Sequence, residues 1–172
     1  WKEDETVIGG YRVKARLVLK GFAEKYANQL ETYSPTAGRE AHRIQAVCAS
    51  LNNRPLESFD ITAAFLKGWS FDEMKKAGYN RTPCAFQPDA EMWELFNELT
   101  GKYAVQIKVP HLWVYRLQKG AYGLKDAVLL WNLRISRILT GDECGLKQTT
   151  NDTQMYYKHA PDGKLMLSLS LH

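Results

Sequence analysis

Phe59-Asp60-Ile61-Thr62-Ala63-Ala64-Phe65-Leu66-Lys67-Gly68 sets a single carboxylate in an otherwise apolar run. From Glu57 to Ile61 the side chains alternate, Phe59 and Ile61 to one side and Ser58 and Asp60 to the other, which is the period-two signature of a strand. On this reading Asp60 points away from the apolar face. The strand follows the turn Asn52-Asn53-Arg54-Pro55, and Ala63 to Gly68 carry the chain into another turn.

Working outward, Ser34-Pro35 opens a segment in which Ile44, Val47, Cys48 and Leu51 recur at helical spacing, so a helix over 39–51 is expected to bury that stripe. Before it, Val13 to Lys20 alternates between Ala15, Leu17, Leu19 and a basic side with Lys14, Arg16 and Lys20, which reads as a surface strand. Beyond the central block, residues 69–112 are mixed, with a short helix from Ala90 to Leu99 between Pro88-Asp89 and Gly101. Leu112 to Leu117 reads as a strand and Gly120 to Gly123 as a turn. Val128, Trp131, Ile135, Ile138 and Leu139 then trace the core stripe of a helix over 125–140 that stops at Gly141. Met155 to Lys158 and Leu165 to Leu171 form a hairpin around Pro161-Asp162-Gly163.

A chain of 172 residues with 45% hydrophobic content can bury one core, so one globular unit is expected. The charge of +4 permits a polyanionic partner without demanding one. Cys48, Cys84 and Cys144 are odd in number and widely spaced, which argues against a zinc site or a disulfide framework and for a reducing, intracellular setting. No apolar run approaches the roughly 20 residues that span a bilayer, so no membrane partner is expected. The chain opens without Met and closes in an apolar alternation, and both ends read as cut.

Four blocks, Lys14-Ala-Arg-Leu-Val-Leu-Lys-Gly-Phe22, Tyr33-Ser-Pro35, the central block from Phe59 to Gly68, and Arg116-Leu-Gln-Lys-Gly-Ala-Tyr-Gly-Leu-Lys125, punctuate the chain. Their order and spacing resemble those of the reverse transcriptases of copia-type retrotransposons. The resemblance implies an α+β fold, an incomplete fingers and palm unit over 1–172, with an antiparallel palm sheet backed by the helices near 39–51 and 125–140. Residues 69–112 form its divergent segment, lacking the Tyr-Met-x-x-Pro-Pro run of the family. It also implies RNA-directed DNA synthesis within a Pol polyprotein, on an RNA or DNA template-primer, with deoxynucleoside triphosphates and two magnesium ions held by aspartates.

Carried over residue by residue, Asp60 matches the first catalytic, metal-binding aspartate, and the Ile61 carbonyl follows as a metal ligand. Phe65 matches the aromatic residue that crowds a 2′-hydroxyl. Lys14 and Arg16 resemble the finger residues that clamp the triphosphate. Tyr122 and Gly123 belong to the turn that touches the nucleotide, and Lys125 to the template contact. Gly123→Val is expected to block nucleotide binding and leave the fold intact. His172 stands at the aromatic position of the family's aromatic-Val-Asp-Asp motif, so the 172-residue chain by itself is expected not to polymerise.

After Lys125 the family has Gln-x-Pro-Arg where this chain has Asp126-Ala-Val-Leu, which sets an acid near the supposed template path. Asp126, with Asp72, Asp142 and Asp152, lies in a polar or turn-like context and is assigned no chemistry. An alternative reading is a decayed, non-catalytic copy that at most binds nucleic acid through its basic face.

Overall fold

The computed structural model describes residues 2–3, 11–12, 16–100 and 112–171. In chain order, β1 (Lys2–Glu3) pairs antiparallel with β2 (Tyr11–Arg12), and the helix α1 (Arg39–Leu51) follows. Next come α2 (Phe71–Lys76), β3 (Ala85–Phe86), α3 (Ala90–Thr100) and β4 (Tyr115–Arg116), with β3 and β4 paired antiparallel. The helix α4 (Ala127–Thr140) leads into a three-stranded antiparallel sheet, order β5 (Lys147–Gln148), β6 (Met155–His159), β7 (Leu165–Ser170). The result is α+β, with small antiparallel sheets.

α4 is central because both of its sides are covered. Ala127, Leu129 and Leu130 pack with Phe71, Met74 and Leu124 in the main core, and Leu130 is completely buried. Burying a leucine side chain is worth about 1.5–3 kcal/mol. The Trp69 N–H donates to the Leu130 carbonyl at 3.0 Å, which lashes the 64–69 segment to the helix. On the sheet side, Ser136 Oγ lies 2.7 Å from the Tyr156 hydroxyl, and the Asn132 amide donates to Gln154 at 2.7 Å. The buried set therefore differs from the expected stripe: Ile135 is buried, but Val128 and Ile138 are exposed while Leu129 and Leu130 take their place.

The same correction applies to α1. Its sheet-facing residues are Ala41, buried against Ala37 and Met155, then Gln45, Cys48 and Ala49, which line a cleft with β7. Ile44, Val47 and Leu51 are 50%, 56% and 81% exposed, so the buried face is rotated by one position from the apolar stripe and shares only Cys48 with it. Small residues let the helix approach closely, and the Gln45 amide fixes its register. With its NH2 toward Ser170 Oγ (2.8 Å), its carbonyl accepts from the Ser170 and Leu169 N–H groups at 2.9 and 3.2 Å. Both α1 and α4 thus pack against the β5–β6–β7 sheet.

Two expected strands are not seen among the described residues. Residues 54–61 are irregular, with Phe59 exposed, because no described residue offers them a ladder. The segment is held at its start instead, where Arg54 Nη1 donates to the Met166 carbonyl. Of the expected strand over 13–20, residues 13–15 lie outside the described residues, and 16–20 are irregular.

α2 was not read from the sequence, although its start is written there. Ser70 and Glu73 form a capping box: the Glu73 N–H donates to Ser70 Oγ at 3.2 Å, and the Ser70 N–H donates to Glu73 Oε2 at 2.8 Å. The Ser70 N–H, assisted by the Ser70 hydroxyl and the Arg134 and Lys119 cations, holds the Glu73 carboxyl below its ordinary value against partial burial. A depressed folded pKa gives stability that is present above the ordinary carboxylate range and is lost as pH falls through the depressed value. Ser70→Ala is expected to cost about 1 kcal/mol in urea unfolding and to flatten this acid limb. Unchanged stability with an unchanged limb would remove the cap from the account.

Candidate functional site

Arg16, Phe65 and Tyr122, distant in sequence, meet on the structure. The Arg16 guanidinium carbon lies 5.1 Å from the Tyr122 ring centroid, within the range of a cation–π contact. Phe65 meets the same ring edge-on, centroids 5.8 Å apart at 73°. Tyr122 is therefore the shared member, in contact with both the cation and the second ring.

This meeting depends on how closely residues 16–21 cross the 121–124 turn. The Leu19 N–H donates to the Tyr122 carbonyl at 2.8 Å. Gly123 has φ +93°, and a Cβ there would fall 2.0 Å from the Leu19 carbonyl oxygen. Conversely, a Cβ on Gly21 would fall 2.2 Å from the Gly123 carbonyl oxygen. Two glycines are required because two backbones occupy the space of one side chain. The expectation that Gly123→Val leaves the fold intact is overturned by this contact.

Asp60 is exposed, at the end of the irregular 54–61 segment, with half-buried Ile61 beside it. Between Asp60 and Phe65 the chain reverses at Ala63, which adopts a left-handed conformation (φ 55°, ψ 38°), and enters the three-ten turn Ala64–Lys67. Lys125 is exposed and donates to Asn28 Oδ1 at 3.1 Å. Lys14 lies outside the described residues. Asp60 and the Ile61 carbonyl are hard oxygen donors of the type magnesium prefers. Among the described residues, however, no group of three or more His, Cys, Asp or Glu side chains could hold a metal ion. These residues do not by themselves make a two-ion centre.

Behind the Tyr122 turn lies a cluster that sequence reasoning missed. Arg81, its side chain 1% exposed, forms ion pairs with both Glu24 and Asp126. Its Nε lies 2.7 Å from Asp126 Oδ2, in an ion contact whose N–H direction is poor for a hydrogen bond, and Nη2 donates to Oδ1 at 3.5 Å. The guanidinium also lies over the Phe71 ring, 4.3 Å from its centroid. Burial pushes the Asp126 carboxyl above its ordinary value, with Arg81 pulling the other way, and burial likewise pushes up the neighbouring Cys84 thiol. Asp126 is thus no polar turn residue on a template path: it is turned inward at the start of α4, 1% exposed. Its partner Arg81 stands 45 residues away in sequence, and Glu24, the other carboxylate on Arg81, 102 away, where no local periodicity could reveal them.

A family model described as "Reverse transcriptase (RNA-dependent DNA polymerase)" matches residues 1–172. The chain belongs to this family. It is similar to the Retrovirus-related Pol polyprotein from transposon RE2 of Arabidopsis thaliana, 28% identical over 150 residues, which cover 84% of this chain and 8% of that polyprotein. It is also similar to the Retrovirus-related Pol polyprotein from transposon TNT 1-94 of Nicotiana tabacum, 28% identical over 160 residues, covering 92% of this chain and 10% of the polyprotein. The reverse transcriptase chain thus spans about a tenth or less of these curated relatives. No solved structure matches it. Reverse transcriptases generally use divalent metal ions, and no helix among the described residues is long and apolar enough to cross a membrane.

Proposed function

We propose that this chain is the nucleotide-handling part of an RNA-directed DNA polymerase from a copia-type Pol polyprotein, with residues 1–172 forming one partial fingers and palm unit. The observation that carries the reading is the convergence of Arg16, Phe65 and Tyr122 beside the Gly123 turn. The β5–β6–β7 sheet with α1 and α4 corresponds to the palm. The N-terminal segment, with β3 and α3 from the divergent 69–112 stretch, corresponds to the fingers.

The roles follow from side-chain chemistry. Arg16, held over the Tyr122 ring, supplies N–H groups for phosphate oxygens, and Lys14 adds a compact charge. Phe65 limits the room at the sugar, so a 2′-hydroxyl is excluded by contact. Gly123 admits the backbone close to the nucleotide, and Lys125 reaches the template-primer. Asp60, with the Ile61 carbonyl, supplies oxygen donors toward magnesium. The remainder of the Pol polyprotein is the natural partner. The buried pairing of Asp126 with Arg81 weighs against treating Asp126 as the drift of a decayed copy.

The test is equilibrium binding of deoxy- and ribonucleoside triphosphates to this chain. Arg16→Ala is expected to weaken triphosphate binding about tenfold or more, the scale of a lost charge-assisted hydrogen bond. Phe65→Ala is expected to bind ribonucleotides better while leaving deoxynucleotide binding largely unchanged. Equal discrimination in parent and Phe65→Ala would rule the sugar role out. Binding of primed nucleic acid without any nucleotide affinity would favour a non-catalytic binding role, recognised by its steep salt dependence.

A further inference from the structure

Three segments carry or adjoin the Arg16–Tyr122 pair, and a single buried side chain joins them. Glu24 ends the short turn Gly21–Ala23 that follows the irregular Arg16 segment, Arg81 lies in the loop between α2 and β3, and Asp126 follows the Tyr122-Gly123 turn into α4. The backbones of the first and third segments interlock through Leu19 and Tyr122. That contact and the Gly21–Gly123 approach lie at the crossing itself, and the exposed Lys125–Asn28 bond lies outside it. Arg81 adds a buried point by pairing with Glu24 on one side and Asp126 on the other, while its position over Phe71 anchors it to the main core.

We propose that Arg81 is a positioning residue: by bridging Glu24 and Asp126 it sets the angle between the Arg16 segment and the Tyr122 turn, and with it the seat of the triphosphate. This rests on the nucleotide-handling function proposed above. Arg81 itself touches no nucleotide, being closed off from solvent, and acts through Arg16 and Tyr122. The planar fork of a guanidinium is needed because two carboxylates must be met from one point in different directions, which a lysine ammonium on its flexible stem does not reproduce. A purely structural cross-link would be replaceable by apolar packing, since buried ion pairs are often exchanged for well-packed neutral residues without loss of stability.

That distinction defines the experiment. The variant Glu24→Gln/Arg81→Met/Asp126→Asn removes all three charges together, and Arg81→Lys keeps the charge and removes the fork. Two readouts are taken on the 172-residue chain: the ring-current shift of the Arg16 δ-protons over Tyr122, by NMR without nucleotide, and deoxynucleoside triphosphate affinity. The neutral variant is expected to keep a melting temperature close to that of the parent, to lose most of the Arg16 shift, and to bind triphosphate at least about tenfold more weakly, because small misplacements at a site are costly. A neutral variant that keeps both shift and affinity overturns the proposal. Should it fail to fold, Arg81→Lys decides by the same two readouts: a reduced shift with weakened binding supports positioning, and parent-like values overturn it. If the parent shows the shift but binds no nucleotide, the polymerase reading fails separately, and retention or loss of the Arg16 shift still judges Arg81.

Discussion

Gly123→Ala is expected to destabilise the chain by at least about 3 kcal/mol, well beyond the ordinary effect of adding one methyl group to a turn. Two costs combine. At φ +93° an L-residue is strained, which costs about 1–2 kcal/mol. In addition, the new Cβ would lie 2.0 Å from the Leu19 carbonyl oxygen, a backbone atom that no rotamer change can move. The 16–21 segment must withdraw, which breaks the Leu19–Tyr122 hydrogen bond, worth about 1 kcal/mol, and pulls Leu19 from the edge of the main core. Gly163 supplies the control, since it has φ +82° with nothing within 4 Å of the added Cβ. Gly163→Ala should therefore show the strain alone. Urea denaturation of the two variants separates the effects, and equal losses would mean that the interlock contributes nothing. Because Arg16 travels with Leu19, the Gly123 variant should also lose triphosphate binding, here as a consequence of opening the crossing.

Which parts of this architecture were legible depends on how local their causes are. The extents of α1, α3 and α4 followed from periodicity and from punctuation by Gly101 and Gly141, and the β6–β7 hairpin from Pro161-Asp162-Gly163, whose ends close through the Ala160 N–H and the Lys164 carbonyl at 2.9 Å. The buried face of α1 was not legible. Periodicity reports that Ile44, Val47 and Leu51 share a side, but Ala41 and Gln45 offer the closer approach to β7 and the better hydrogen bonds. Phe59 and Asp60 alternate as a strand would, yet a strand needs a partner, and pairing is a non-local property. Of the candidate site, Arg16, Phe65, Tyr122 and Gly123 are named by family resemblance and lie near one another, whereas Arg81 is invisible in the sequence because its partners are Glu24 and Asp126. Ser70 and Glu73 are the opposite case, a signal at fixed spacing that was present and unread.

Arg81→Met should be among the most damaging single changes in the molecule, at about 3–5 kcal/mol near neutral pH, the usual cost of removing one partner from a buried ion pair. The loss comes mainly from what stays behind. Asp126 is 1% exposed and Glu24 nearly as enclosed, so both carboxylates would face one another, with the Cys84 thiol, across a space that has lost its cation. The sign of the pH dependence follows from Asp126. Its folded pKa is already raised by burial, so folding takes up a proton there, and the associated stability is present in acid and lost as pH rises through the raised value. Removing Arg81 raises that value further and widens the window. The deficit of Arg81→Met should therefore be largest near neutral pH and shrink as the pH falls and the raised Asp126 carboxyl takes up its proton. Adding Asp126→Asn to Arg81→Met should recover much of the loss at neutral pH and little in acid. A deficit that is independent of pH, or unrelieved by the second substitution, would assign the effect to lost packing on Phe71 instead of to stranded charge.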